Sequence, residues 1–301
     1  MTQEAIEQTF QVHAPAQFSL ANISGSVEIL PGESDAIIVK AIKNNVEGNS
    51  KRTDIEMTQD EDSSVSVKTH YRSDSWLSFL SGKSCDVDYK VIVPPDCKIN
   101  VSGVSNAVLI QGIAGEMQIS TVSGNGNLLD LRGKFEIKSV SGNVTGERLN
   151  GEIKLNTVSG DIHFSDSTFQ SIDGKTVSGD IYAETTFISG PYCFDSVSGD
   201  VCLVLPGESR FRVNSKSLSG DLKSFFPVDR NTTQEGGVVI KHHSISGDMI
   251  IKSSLTTVAK PNLESETSAI NGRIDVLERL ARKEISVDEA IQFLNKMPFH
   301  S

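Results

Sequence analysis

The sequence predicts an all-β protein, a parallel β-solenoid with repeats of about 20 residues, followed by a short C-terminal α-helical hairpin. Three observations predict it. Between residues 122 and 249 one short phrase recurs seven times: an aliphatic residue, Ser, Gly, Asn or Asp, and usually another aliphatic residue. Its glycines, Gly124, Gly142, Gly160, Gly179, Gly199, Gly220 and Gly247, are spaced by 18, 18, 19, 20, 21 and 27 residues, the near-fixed period of units that bury their apolar faces against one another. Aromatic residues make up only 6% of the chain, so the core must be built from Val, Ile and Leu, the residues of short strands. After Pro261 the apolar spacing changes from strand-like to helical.

Residues 1–101 read as an N-terminal β region continuous with the repeats. Ser26–Ile29, Ile37–Ile42, Val65–Thr69 and Val87–Val93 are rich in β-branched residues, and Pro31-Gly32 and Pro94-Pro95 supply turns. Ile23-Ser24-Gly25-Ser26 and Val101-Ser102-Gly103-Val104 already echo the later phrase. Residues 102–256 form the repeat region. A Gly at each bend permits the positive φ of a tight corner, and the aliphatic residues flanking Ser-Gly are expected to stack into a continuous core. Ser and Asn/Asp are expected to bond nearby backbone groups. The long interval, with Phe226 to Gly237, reads as a surface loop. In residues 262–301, Ile270, Ile274, Leu277 and Leu280 recur at helical spacing. Ser286-Val287-Asp288-Glu289 is a capping box opening a second helix with Val287, Ile291 and Leu294 on one face. That stripe predicts a cap over the strands or self-association between chains, because two short helices cannot bury it alone.

The chain of 301 residues carries a net charge of −11. An acidic surface repels phosphate backbones, which argues against nucleic acid as a partner. The longest aliphatic run, Ala36 to Val39, is too short to span a bilayer. Acids replace the basic start of a secretory signal, and Cys85, Cys97, Cys193 and Cys202 lack CxxC spacing. The expected location is the cytoplasm, or the envelope or exterior if the native gene encodes a removed leader.

No catalytic constellation stands out, and the expectation is no enzyme, no cofactor and no metal. Asp161, Asp180, Asp200, Asp221 and Asp248 are aligned by the repeat, as a calcium ladder would be. Calcium-binding rolls use nine-residue repeats, however, and Asn125 and Asn143 occupy the first two places, so a structural turn ladder fits better. Lys154, His163, Glu184 and Arg210 are the charged or polar candidates for a carbohydrate-active site, which needs an irregular acid cluster. His242 and His243 are adjacent and would face opposite sides of a strand. Ser75 to Gly82 holds the sole Trp, and Trp76, Leu77, Phe79 and Leu80 make it a candidate interaction loop or an end cap.

The Ser-Gly-Asp repeats, with Ile23–Ile29 and Val91-Ile92-Val93-Pro94, resemble the bacterial β-strand-repeat family labelled "putative adhesin", the toastrack type, over residues 10–255. The resemblance implies a parallel β-solenoid found in envelope or envelope-stress proteins, with no catalytic residues to carry over. Residues 277–290 resemble short helical-hairpin modules of bacterial proteins, which implies assembly. The function expected is a non-catalytic scaffold for protein interaction or assembly, with envelope association as an option. A carbohydrate-active enzyme or glycan-binding β-helix and a surface adhesin are the alternatives.

Overall fold

Runs of β-branched residues between Gly or Pro boundaries favour short strands, and the described residues form twenty. The computed structural model describes residues 3–33, 35–44, 53–60, 63–71, 86–226 and 237–254. The N-terminal strands are β1 (Gln3–Gln11), β2 (Gln17–Pro31), β3 (Ala36–Asn44), β4 (Thr53–Asp60), β5 (Ser64–Tyr71) and β6 (Asp86–Val93). The repeats supply β7 (Lys98–Gln111), β8 (Ala114–Thr121), β9 (Gly126–Leu129), β10 (Arg132–Ser139), β11 (Val144–Glu147), β12 (Asn150–Thr157) and β13 (Ile162–Thr176). They continue with β14 (Ile181–Phe187), β15 (Tyr192–Ser196), β16 (Val201–Pro206), β17 (Phe211–Ser217), β18 (Leu222–Ser224), β19 (Val238–Ser244) and β20 (Met249–Ser254).

Two ladders face each other. The first runs β4, β5, the start of β2, the start of β7, β8, β10, β12, the end of β13, β15, β19 and β17. The second runs β1, β3, β6, the end of β2, the end of β7, β9, β11, the start of β13, β14, β16, β20 and β18. Inward side chains of both ladders form one apolar core. A representative row is Val144, Ile162, Ile181, Val201 and Met249, all buried.

This corrects the expected fold class, an all-β parallel β-solenoid with a C-terminal helical hairpin. Strands β7 and β13 are long enough to pair on both ladders. Hydrogen bonding therefore closes a ring of seven parallel strands, β7-β8-β10-β12-β13-β11-β9, with the remaining strands outside it. The pairs β1–β3, β3–β6 and β4–β5 are antiparallel, where the repeats use parallel steps. Spatial order also departs from chain order. Strands β5 and β6 lie outside β2, and β19 and β20 lie between β15/β16 and β17/β18.

No helix occurs among the described residues. The described residues belong to one compact unit, Met1–Ser254. The helical pair expected at 262–301, with Ile270, Ile274, Leu277, Leu280, Val287, Ile291 and Leu294, lies outside the described residues, as does the loop with Trp76, Leu77, Phe79 and Leu80.

Candidate interaction surface

Strand alternation decides what the repeated phrase displays. In β10, Phe135, Ile137 and Ser139 point inward, so the next residue, Val140, points out. The full phrase is therefore six residues long: Ser or Thr inside, an aliphatic residue outside, Ser, Gly, Asn or Asp, then in most copies an inward aliphatic residue. Only the last joins the core, which corrects the expectation that both aliphatic positions are buried. The outward positions stack rung on rung as Val104, Val122, Val140, Val158, Val177, Val197, Ile245 and Leu218, each between 42% and 84% exposed.

The other positions fix this stripe rigidly. Thr121, Ser139, Thr157, Thr176 and Ser196 are buried beside the glycine three residues on. Ser139 Oγ accepts the Gly142 N–H at 3.1 Å, and Thr157 Oγ1 does the same for Gly160 at 3.1 Å. The exposed serines tie each rung to the one before: Ser141 Oγ donates to Val122 O at 3.1 Å and Ser159 Oγ to Val140 O at 3.2 Å. None of the seven glycines has a positive φ, so corner geometry is not what requires them. A Cβ on Gly160 would overlap the carbonyl oxygen of Gly142, and one on Gly179 that of Gly160. The glycines let backbone stack on backbone.

Beside the stripe runs a row of side-chain acceptors. Asn143 N–H donates to Asn125 Oδ1 at 3.0 Å, Asp161 N–H to Asn143 Oδ1 at 3.0 Å, and Asp180 N–H to Asp161 Oδ1 at 3.0 Å. The chain of bonds continues through Asp200, Asp248 and Asp221 at 2.8 Å each. Each bond consumes one oxygen on a backbone amide. An Asn serves as well as an Asp, and the row is neutral at Asn125 and Asn143 and anionic from Asp161 onward. The Asp221 N–H, then Lys223 at 3.1 Å, hold the Asp248 carboxyl below the usual carboxylate range.

Lys154 lies on the first ladder, whereas His163 and Glu184 lie on the second, and Arg210 precedes β17, so these candidates form no cluster. His163 stacks on Tyr182 with ring centroids 4.5 Å apart. His242 is fully buried while its neighbour His243 faces outward, 3.1 Å from Asp195. Among the described residues no group of three His, Cys, Asp or Glu is arranged to hold a metal ion. Nor do the described residues include a helix long and apolar enough to cross a membrane. The aliphatic stripe was missed in the sequence, although its signal was there: the Ser or Thr before every member but Val104 marks the inward place, which puts the aliphatic residue out.

The sequence profile of the family Toastrack DUF4097 matches residues 17–260. The chain belongs to the toastrack family. Among curated proteins, sequence comparison finds no match. A solved structure described as a "putative lipid binding protein" from Parabacteroides distasonis is 14% identical, covers 84% of this chain and 96% of its own, and superposes with a TM-score of 0.53. A "putative adhesin" from Parabacteroides merdae is 9% identical, with 83% and 96% covered and a TM-score of 0.47. One from Bacteroides fragilis is 11% identical, with 83% and 97% covered and a TM-score of 0.41. The first of these shares the toastrack fold.

Proposed function

We propose that this toastrack protein is a non-catalytic interaction module whose working surface is the aliphatic stripe. The observation that carries the reading is the stacking of eight aliphatic side chains, Val104 through Leu218, on the outside of the ladder. Their backbones are bonded rung to rung, so docking on them costs little conformational entropy. A protein partner with an aliphatic edge and Lys or Arg opposite Asp161 to Asp221 fits the surface. Lipid is the second reading, favoured by the exposed methyl groups, although the carboxylate row weighs against anionic bilayers.

The non-catalytic reading is supported by how outward charges are used. Lys98 pairs with Glu116 at 2.9 Å, Lys138 with Glu136 at 2.8 Å and Lys175 with Asp195 at 3.4 Å, which leaves them as surface fasteners. A cytoplasmic location is supported by Cys97, Cys193 and Cys202 carrying no disulfide; cell fractionation tests it.

The test places a photo-crosslinking residue at Val158 and, as control, at Lys154 on an outward sheet face. The expected result is one discrete protein adduct from position 158, lost when Val140, Val177 and Val197 are changed to Thr. Thr keeps the β-branch and removes the apolar methyl, so stability should shift by no more than about 1 kcal/mol. Equal labelling from both positions would overturn the reading, adducts to lipid alone would favour the second, and turnover on acidic glycans would defeat both.

A further inference from the structure

The aliphatic stripe runs between two unlike borders. From the rung of Val140 to that of Leu218, the residue two places before each stripe member lies on the outer face of the first ladder. These residues are Lys138, Asn156, Lys175, Asp195, His243 and Lys216, paired rung to rung in that order. The residue three places after each member is Asn143, Asp161, Asp180, Asp200, Asp248 or Asp221, joined in the same order by backbone-to-side-chain bonds. One border thus carries three exposed lysines and a single acid, and the other carries five acids and no base. The single acid, Asp195, is bracketed by Lys175 at 3.4 Å and His243 at 3.1 Å.

We propose that the partner of the stripe is the stripe of a second copy of this chain, the two running in the same direction about a two-fold axis parallel to them. The proposal rests on the stripe being the working surface and names what covers it. Two lengthwise arrangements have two-fold symmetry. With the axis across the stripes the copies run in opposite directions, and each acidic border lies over the other acidic border. With the axis along the stripes each acidic border lies over a basic one, equal rung upon equal rung. Lys175 then meets Asp180, Lys216 meets Asp221, and Asp161 lies over Asn156 between the lysines of the adjoining rungs. Repulsion between like borders disfavours the first arrangement and selects the second. Lys138 already pairs with Glu136 at 2.8 Å, and Lys175 with Asp195, but pairs this exposed are exchanged at little cost.

The spacing points to the same partner. Rungs repeat at about 4.8 Å and helical turns at about 5.4 Å, so a helix laid along six rungs ends about 3 Å out of step. A second stack of rungs keeps step throughout. The patch is about 24 Å long and at most about 16 Å from border to border, which buries on the order of 400 Å² from each copy. That is half of a standard interface, so the dimer is weak and forms as concentration rises.

The test places a photo-crosslinking residue at Val140 in the purified full chain, mixed with an isotope-labelled second copy, with Lys154 as the control position. The expected result is a dimer adduct from position 140 alone, growing with concentration and mapping to residues 138–143 or an adjoining rung of the labelled copy. K175E should lower the yield about tenfold, because symmetry makes the Lys175–Asp180 contact twice. D180K should do the same, and mixing the two variants should restore the adduct, since each offers the other an opposite charge at both contacts. Circular dichroism checks that the variants are folded, and K175E, which leaves the Asp180 acceptor in place, decides alone if D180K unfolds. No dimer adduct at the highest soluble concentration, an adduct at residues 216–221 or 243–248, or a yield indifferent to K175E would overturn the proposal. Capture of a different protein at position 158 in the cell, with no dimer from purified chain, would also overturn it while leaving the stripe as the working surface. Capture in neither setting would sink both.

Discussion

The two ends of the toastrack body solve the same problem by different means. At the N-terminal end the strands β5 and β6 are covered by antiparallel β4 and β3, and β3 in turn by β1, which runs against it. At the other end the described ladders stop at parallel β17 and β18, where residues at core positions are half-exposed. Both ends use one device in common: a later or earlier segment slots inside, β2 within β5/β6 and β19/β20 within β17/β18. An interior rung has two neighbours and a terminal rung one. The same phrase, Ser-Gly-Asp, therefore lies in different surroundings at Gly160 and at Gly220.

The largest effect should come from charge at one register place. Val201→Asp buries an unpaired carboxylate between two rungs and should cost more than about 4 kcal/mol, enough to unfold the body. Leu222→Asp, two rungs further out and 43% exposed, should cost about 1 kcal/mol or less. Denaturant melts compare them, and equal losses would erase the distinction between interior and end.

The next contrast concerns backbone spacing. Gly160→Ala forces a Cβ into the carbonyl of Gly142 with rungs locked on both sides, and should cost about 3 kcal/mol or more. Gly220→Ala meets Gly247 O in the same way, but the terminal rung can yield, so about half that loss is expected. Thermal melts of the two variants check the order.

A smaller effect is specific to the open end. His242 stands in the core row of Ile137, Leu155 and Phe194, fully buried, with Nδ1 3.0 Å from Ser215 Oγ and Nε2 without a partner among the described residues. Burial first, then the neighbouring His243, lowers its pKa, while Asp195 and Asp248 act in the opposite sense. The folded state thus resists a proton that the unfolded chain takes near pH ~6.5. His242 contributes its full stability above that pH and loses it as pH falls through and below it. Amide exchange in residues 211–224 and 238–254 should quicken first in acid, and His242→Phe should flatten that dependence. An unchanged pH profile in the variant would count against it.

The smallest effect is Asp180→Asn, which keeps the Oδ1 that accepts the Asp200 N–H. A change within about 0.5 kcal/mol is expected, the range of a surface substitution that retains its bond. A larger loss reversed by calcium would mean that the carboxylates hold an ion.

Much of this was legible because the repeat is local. The glycine spacing of 18 to 21 residues announces rungs of near-constant length, and the Asn/Asp place announces a row of side chains bonded to the next rung. The exposed stripe was equally encoded, in the alternation that puts Thr157 inside and Val158 outside, but treating all aliphatics as core concealed it. The glycines were recognised for the wrong reason, since their role is close stacking and not positive φ.

The sequence by itself determined strand content, the rung period and which residue of each phrase repeats which, because these depend on alternation and turn chemistry within a few residues. Only the tertiary structure decided that β7 and β13 bend across both ladders to close a ring, that β19/β20 enter between β15/β16 and β17/β18, and that the ends differ. Parallel rungs of like sequence offer nearly equal pairing partners, so local pattern cannot rank them. Their order is set by which arrangement buries the most apolar surface at once, a sum over the whole chain.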